Sequence, residues 1–328
     1  MPFDHLVLTR FSAVRRGQVD PMPAEWLTYR LGFFYDACHP SLTRQVGAAP
    51  FRWLVFLDDR CSDDFREQMT ELAYGAFEPV WGHEDFHTVE LPQAIERYAA
   101  TPGASHLITT RVDSDDAVAR DFVAAVQAQF ARAAAPRPPV LPSPVLPSRH
   151  TDDGLLFVNF TRGLQVDRSG AVYRRDQPHG PFLSLIERRA TGAAPRTVHT
   201  TKHNLARRTA PVLEVRAEPM WLQVLHDANL RNVVAGPQVS PRVLKRRFDI
   251  DLEHDENLTG TTLLAARAGH RTRLLRQWAQ HPGQAVEAGA ATVGRLRGTH
   301  VRPHDPSALT AGARLREQAL RLGYRPRS

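Results

Sequence analysis

Short apolar runs alternate with helix-periodic stretches over the first 135 residues. His5–Leu8 is a β-rich run that ends in Thr9-Arg10-Phe11-Ser12, and Trp53–Leu57 is a second run closed by Asp58-Asp59. Phe77–Trp81 is a third. His106–Thr110 is a fourth, and it leads into Arg111-Val112-Asp113-Ser114-Asp115-Asp116. Between these runs, Leu27, Leu31, Phe34 and Cys38 recur at helical spacing within Trp26–Cys38. Ser62 stands at the N-cap position before Asp63 and Asp64, whose carboxylates favour the helix dipole, and Phe65, Met69 and Leu72 supply the inner face. Leu91–Ala100 and Ala117–Ala134 read as further helices. Strands that are apolar throughout and separated by helices predict an α/β fold with a mainly parallel sheet covered on both faces. Ligands of such sheets sit beyond the carboxyl ends of the strands. That rule collects Thr9-Arg10, Asp58-Asp59 and Asp113–Asp116 along one edge.

The pattern then changes. Ala135–Ser148 is Pro-rich and predicts a stiff connector across the surface. Leu155–Gln165 and Ala171–Arg174 flank Asp167-Arg168-Ser169-Gly170, a hairpin with Gly at the turn. Gly180–Glu187 reads as the start of a helix, whereas Thr197–His203 and Met220–His226 are too brief to assign. From Thr261 the spacing is helical, with Leu264, Ala268, Leu275 and Trp278 on one face, and Ser307 caps a last helix that buries Leu315 and Leu322. The predicted organisation is a domain over residues 1–250 and an Arg-rich helical extension over 251–328.

Composition sharpens the second half of that division. The 328 residues carry 42 Lys plus Arg against 35 Asp plus Glu, a net charge of +7. Residues 257–328 hold twelve Arg and three acids, whereas residues 1–256 hold thirty basic and thirty-two acidic residues. The tail alone is basic, a property that attracts anionic membrane surfaces or nucleic acid. Cys38 and Cys61 are too few for a disulfide framework, which suits a reducing compartment. No apolar run reaches the roughly 20 residues of a membrane span, and the N-terminus lacks the pattern of a secretion signal. The expected location is the cytoplasm, with the tail a candidate for peripheral contact at the inner membrane face. There is no Gly-x-Gly-x-x-Gly fingerprint, no phosphate-loop Lys and no zinc-like Cys/His spacing, which weighs against dehydrogenase, kinase and zinc readings.

The chemistry centres on the acids after the fourth run. Hard divalent cations prefer oxygen ligands, and Asp113 and Asp115, one residue apart at a strand end, could reach one ion. Such an ion can bridge the phosphates of a nucleoside diphosphate and neutralise it as a leaving group. The plainer alternative makes Asp115 or Asp116 an N-cap for a helix at Ala117. Thr9, Arg10, Arg111 and Ser114 suit a nucleotide sugar, since hydroxyl and guanidinium groups bond base, ribose or phosphate. Asp58 could accept from a ribose hydroxyl or the base, or be a loop acid before Ser62. His203 and His226 compete as the third, chain-distant metal ligand. Glu187 is the candidate general base, its pKa raised by burial, against the alternative of an exposed helix carboxylate. Trp221 could stack on sugar or base, or belong to the core.

The segments HLVLTRFS (5–12), WLTYRLGFFYDACHPSLTRQ (26–45), FRWLVFLDD (51–59), HLITTRVDSDDAV (106–118), PFLSLIE (181–187) and PMWLQVLHDANLRN (219–232) resemble the rhamnosyltransferase family of GT-A-type glycosyltransferases, in the expected order over residues 5–235. The most specific parts are TRF, TRVDSDDA and WLQVLH followed by Asn. The resemblance implies a GT-A-like, Rossmann-related catalytic domain. It implies transfer of a sugar, rhamnose by the family's name, from a nucleoside-diphosphate donor to a hydroxyl on a glycan, glycolipid or small molecule, with inversion. It further implies Mn²⁺ or Mg²⁺ on the Asp-x-Asp motif, with Asp113 and Asp115 as its carboxylates and no nucleic-acid partner. Ser12 stands where the family pattern has Asn. The competing reading is a nucleic-acid-binding protein that uses its Arg-rich helices, the acidic cluster being structural. A metal-dependent nuclease ranks lower, because the acids stand at a nucleotide edge rather than in a basic groove.

Overall fold

The computed structural model describes residues 2–134, 154–177, 180–190, 193–226, 234, 236–250, 252, 264, 268, 272, 275, 279 and 300–302. The first half follows the apolar runs. Strands β1 (Phe3–Arg10), β2 (Arg52–Asp58), β3 (Glu78–Gly82) and β4 (His106–Arg111) are parallel neighbours in the order β3-β2-β1-β4. They are joined through helices α1 (Ala24–Phe33), α2 (His39–Thr43), α3 (Asp63–Ala73) and α4 (Leu91–Tyr98). A single π turn, Phe34–Cys38, continues α1 into α2 and buries Phe34 and Cys38. Ser62 precedes α3 as expected, but its side chain makes no capping hydrogen bond.

Side chains alternate across a strand, and the two hydrophobic cores follow that period. Val7, Trp53, Val55, Ile108 and Val112 pack on one face with α1, α3 and helix α5 (Phe122–Ala134). Leu6, Leu8, Leu54, Phe56 and Leu107 pack on the other with α4 and two 3₁₀ segments, Val198–Thr200 and His203–Arg208. The period therefore puts Arg10 and Arg111 on this second face, and Thr9 and Thr110 on the first.

The second half departs from the expected parallel sheet. Strands β6 (Leu155–Phe160), β9 (Ser184–Arg188), β10 (Val212–Val215) and β13 (His300–Arg302) extend it to β3-β2-β1-β4-β9-β6-β10-β13. Strand β9 runs antiparallel to both β4 and β6, and β13 antiparallel to β10, so the sheet is mixed. The run Gly180–Glu187 thus leads into strand β9 from Ser184 and forms no helix. A run this short carries no periodicity that separates the two, and the place between β4 and β6 decides it. A smaller sheet holds β5 (Ala117–Val118), β7 (Arg162–Val166), β8 (Val172–Asp176), β11 (Trp221–Val224) and β12 (Gln238–Val239), in the order β12-β8-β7-β11-β5. Helix α6 (Arg242–Phe248) follows it. The stretch read as one helix from Ala117 is therefore β5 followed by α5. The expected hairpin forms between β7 and β8, where Asp167 Oδ1 accepts from the Ser169 and Ala171 amides and Gly170 takes φ 75°.

The connector at 135–148 and most of 251–328 lie outside the described residues, as do Trp278, Ser307, Leu315 and Leu322. Leu264, Ala268 and Leu275, expected on one helical face, are helical and exposed. Among the described residues no helix is long and apolar enough to cross a membrane. Cys38 and Cys61 are buried free thiols.

One buried polar chain ties the sheet to α5. Gln127 is held by Ala49, whose amide donates to Oε1 (2.7 Å) and whose carbonyl accepts from Nε2 (3.1 Å). Its Nε2 also donates to His5 Nδ1 (3.3 Å), so the His5 proton sits on Nε2 and is donated to Thr110 Oγ1 (2.9 Å), which in turn meets Ser184 Oγ (2.7 Å). A second proton on His5 would face an N–H donor in a dry core, and burial lowers its pKa to about 3. The unfolded chain binds that proton near pH 6.5, so stability falls as pH drops from about 6.5 towards about 3, by about 1.4 kcal/mol per unit. We expect His5→Gln to flatten the pH dependence of thermal unfolding across that window. A slope equal to that of the wild type would remove His5 as its source.

Candidate active site

Three strand ends meet at the carboxyl edge of the parallel strands, and the acids after β4 divide between its two sides. Asp113 continues the alternation of Leu107, Thr109 and Arg111, and Arg111 clasps it through Nε and Nη2 (2.8–3.0 Å). Burial favours the neutral acid, but Arg111, with Arg10 and Arg30 further off, holds the Asp113 carboxyl well below the usual range. Ser114 and Asp115 turn the other way, towards α1. Arg30 donates Nε to Ser114 Oγ (2.9 Å) and Nη1 to Asp115 Oδ2 (2.5 Å).

His226 arrives at the same carboxylate by strand register. Strand β11 pairs antiparallel with β5, Trp221 opposite Val118 and Leu222 opposite Ala117. Continued past both strand ends, that register carries residues 224–226 back along the acids. The Val224 amide donates to Asp116 Oδ1 (3.1 Å), and His226 Nε2 lies 2.9 Å from Asp115 Oδ2. The imidazole is buried, stacked on Phe33 (centroids 4.2 Å, 15°) and edge-on to Tyr29, and its Nδ1 has no hydrogen-bond partner among the described residues. Asp116 is buried beneath, and burial together with Asp115 and Asp113 pushes its carboxyl well above the usual range. The acids are not a helix cap, since α5 begins only at Phe122.

The remaining candidates separate clearly. Arg10 lies at the end of β1 with its guanidinium over the Phe86 ring (5.6 Å). Thr9 is fully buried on the opposite face, and its hydroxyl accepts the Trp53 indole N–H (2.9 Å), so it belongs to the core wall. Asp58 is buried and clasped by Arg60, Nε to Oδ1 (2.9 Å) and Nη2 to Oδ2 (2.8 Å); burial opposes its charge, but these bonds hold its pKa below the usual value. Ser12 accepts from the Asp58 amide (2.9 Å) and ties the ends of β1 and β2 together. His203 opens the 3₁₀ segment whose Ala206 packs in the second core, on the face away from His226. Trp221 is a core residue: it is fully buried, donates to the Phe160 carbonyl (2.8 Å), stacks on Phe182 and leaves room only for Gly at position 163.

Glu187 is at the wrong end of the sheet. It lies opposite Leu107, near the start of β4, so six residues of strand, about 20 Å, separate it from Asp113. Burial does raise its pKa as expected, yet its Oε1 accepts the Arg196 amide (3.0 Å), and that is a loop contact. Two residues that sequence reasoning does not single out join the site instead. Arg30 is visible only once α1 is docked, and His199 sits in a 3₁₀ turn too short to read as an element.

Hard divalent ions are commonly held by one or two protein groups together with substrate phosphates and water. Asp115 and His226 offer one oxygen and one nitrogen side by side, with the ring oriented by Phe33; in this structure Arg30 and His226 Nε2 both stand on Asp115 Oδ2, so an ion would have to replace those contacts. Among the described residues no three His, Cys, Asp or Glu side chains are arranged as a closed metal cage, so an ion here would depend on further oxygen atoms.

A family model described as "Putative rhamnosyl transferase" matches residues 8–237. The chain belongs to this family. It is therefore grouped with glycosyltransferases, and the match spans every strand-end residue discussed above. No curated protein matches the chain. Among solved structures, S. aureus TarS residues 1–349 in complex with UDP-GlcNAc is 12% identical with a TM-score of 0.38, covering 70% of this chain and 60% of that one. The UDP complex of the same fragment gives 13% and 0.35, with 69% and 61% covered. HddC from Yersinia pseudotuberculosis gives 12% and 0.25, with 56% and 76% covered. This chain thus spans about three fifths of the TarS fragment.

Removing a general base costs about a hundredfold or more in rate. Glu187→Gln in this rhamnosyltransferase-family chain should therefore leave turnover of a nucleotide sugar within about twofold of wild type. A loss near a hundredfold would return Glu187 to the chemistry.

Proposed function

We propose that the chain transfers a sugar from a nucleoside-diphosphate donor to a hydroxyl acceptor, with the donor diphosphate lying across the carboxyl ends of β1 and β4. The observation that supports this most directly is the meeting of Asp115 and His226, 2.9 Å apart, beside an Arg111–Asp113 pair at the same strand end. Family membership supplies the class of reaction, and the family's description supports rhamnose as the sugar. Asp115 and His226 would hold Mn²⁺ or Mg²⁺, which when bound supplies positive charge to the leaving diphosphate.

The chain's own residues do the rest. Arg30 positions Ser114 and Asp115 from α1, so the loop enters with its carboxylate already directed. Asp116, kept towards its neutral form, adds no further repulsion to a diphosphate and anchors β11 through Val224. Asp113, fully ionised, orients Arg111 at the opening. Glycosyl transfer builds negative charge on the departing phosphate, and fixed cationic groups aimed there lower the barrier. Inversion would require a base near the acceptor hydroxyl, a role for which Glu187 is misplaced. The Arg-rich residues 257–328 suit the acceptor side of the reaction, keeping the enzyme near an anionic glycolipid surface.

Asp115→Asn keeps the shape of the side chain and removes its charge. It should lower Mn²⁺-dependent transfer by about a hundredfold while leaving the circular-dichroism spectrum unchanged. A panel of nucleotide sugars in thermal unfolding, with and without Mn²⁺, identifies the donor, since a ligand of the native state raises the apparent melting temperature. Full turnover by the Asn variant would defeat the assignment.

A further inference from the structure

On the second face of the sheet, opposite Arg30 and His226, cationic and imidazole groups gather around one aromatic ring. Phe86 is buried, edge-on to Phe56 (4.9 Å) and held by its amide on the Val14 carbonyl (3.0 Å). Around it stand the Arg10 guanidinium, 5.6 Å above the ring, and the edge-on imidazoles of His199 (5.0 Å) and His87 (4.9 Å), themselves 6.0 Å apart. Arg111, opposite Leu8 in the register, stands on the same face as Arg10; of the nearby carboxylates, Asp113 is spent on Arg111 and Asp85 accepts from the His87 and Thr88 amides.

The imbalance is in the atoms as well as the charges. Among the described residues Arg10 has no ion-pair partner, and its Nε is out of contact with solvent and without a hydrogen-bond partner. His199 Nε2 is in the same condition. A buried polar atom without a hydrogen-bond partner costs free energy that native structures rarely leave uncompensated. Here two such groups lie on one patch near a second guanidinium, that of Arg111. Burial, then Arg10 and Arg111, hold His199 well below its usual pKa, so its imidazole stays neutral and adds a hydrogen bond without further charge repulsion.

We infer that Arg10 and His199, packed on Phe86, form with Arg111 an anion subsite for the diphosphate of the donor, one that binds phosphate oxygens through side chains without a metal ion. The inference rests on the glycosyl-transfer reading for the identity of the ligand, but the subsite itself rests on the unpartnered Arg10 Nε and His199 Nε2. It divides the work at the strand end. Asp115 and His226 serve the ion on one face of β4, and the Arg–His group serves the phosphate oxygens on the other. Arg10 and Arg111 form charge-assisted bonds, and the edge-on contacts with Phe86 place the two imidazoles on the ring that carries the Arg10 guanidinium.

The test is calorimetric titration of the full chain with inorganic diphosphate and with UDP, each in EDTA and in Mn²⁺, for wild type, Arg10→Gln, His199→Gln and Asp115→Asn. Wild type should bind diphosphate in EDTA, and Arg10→Gln and His199→Gln should each weaken it about tenfold or more. Asp115→Asn should match wild type in EDTA and lose only the tightening by Mn²⁺. Arg10→Lys, which keeps the charge, should recover part of the binding, separating loss of the anion contact from a disturbed fold. Equal binding by wild type and the two Gln variants in EDTA, or no metal-free binding at all, overturns the subsite. If diphosphate binds as expected but no nucleotide sugar is turned over, the proposed function fails and the subsite stands. If sugars are transferred and the Gln variants are unaffected, the reverse holds.

Discussion

The pairing of β5 with β11 is the constraint from which the site follows. Two residues of strand, Ala117 and Val118, fix Trp221 and Leu222 in antiparallel register. On its other edge β11 runs parallel to β7, Leu222 opposite Leu164 and Val224 opposite Val166, so residues 224–226 are held against the acids from both sides. A shift of one residue would turn Val224 away from Asp116 and place His226 on the other face of the ribbon, because side chains alternate. The pairing is fixed from behind by Trp221, which is buried, bonded to the Phe160 carbonyl and seated on Gly163. The tryptophan that looks like a ligand-stacking residue in the sequence thus contributes by locking the register that brings the histidine in.

Charge explains why the acids can exist there at all. Asp113, Asp115 and Asp116 are crowded within four positions, and unrelieved repulsion between them would disfavour the fold. Three different solutions operate side by side. Arg111 clasps Asp113, Arg30 and His226 hold Asp115, and Asp116, shielded from water under Val224, tends towards its neutral form. A charge removed from water is tolerable only when paired or neutralised. The local arrangement is balanced on the α1 side of β4, whereas on the Phe86 side Arg10 remains uncompensated.

The parallel strands and their ends are legible in the sequence because apolar runs buried on both faces leave an unambiguous record, and the strand-end rule then locates Arg10, Asp58 and Asp113–Asp116. That Arg10 and Arg111 share a face is not legible there, because runs apolar on both sides carry no face signal and the register of β1 against β4 decides it. Gly180–Glu187 reads wrongly as a helix because a run as short as Phe182–Ile186 carries no period. Reading it so moves Glu187 from a sheet terminus into an imagined active-site helix. Ala117–Ala134 reads as a single helix because a two-residue strand is invisible beside a thirteen-residue helix. His199 and Arg30 escape notice for a different reason. Their roles depend on Phe86 and on the docking of α1, contacts between elements far apart in the chain, and one sequence holds no local trace of them.

The two faces of β4 also explain why its end takes Asp-Ser-Asp rather than a denser run of ligands. Alternation past the strand end sends Asp113 towards Arg111 and Arg10, and the next residues towards Arg30 and His226. A small residue between the acids is required, because Ser114 is fully buried and its hydroxyl is the acceptor for Arg30 Nε. A bulkier side chain there would push α1 outward and separate Arg30 from Asp115, while Ala would leave the guanidinium one acceptor short. The middle residue of the motif, which makes no demand on metal or phosphate, is thereby fixed by the helix that positions the carboxylate after it.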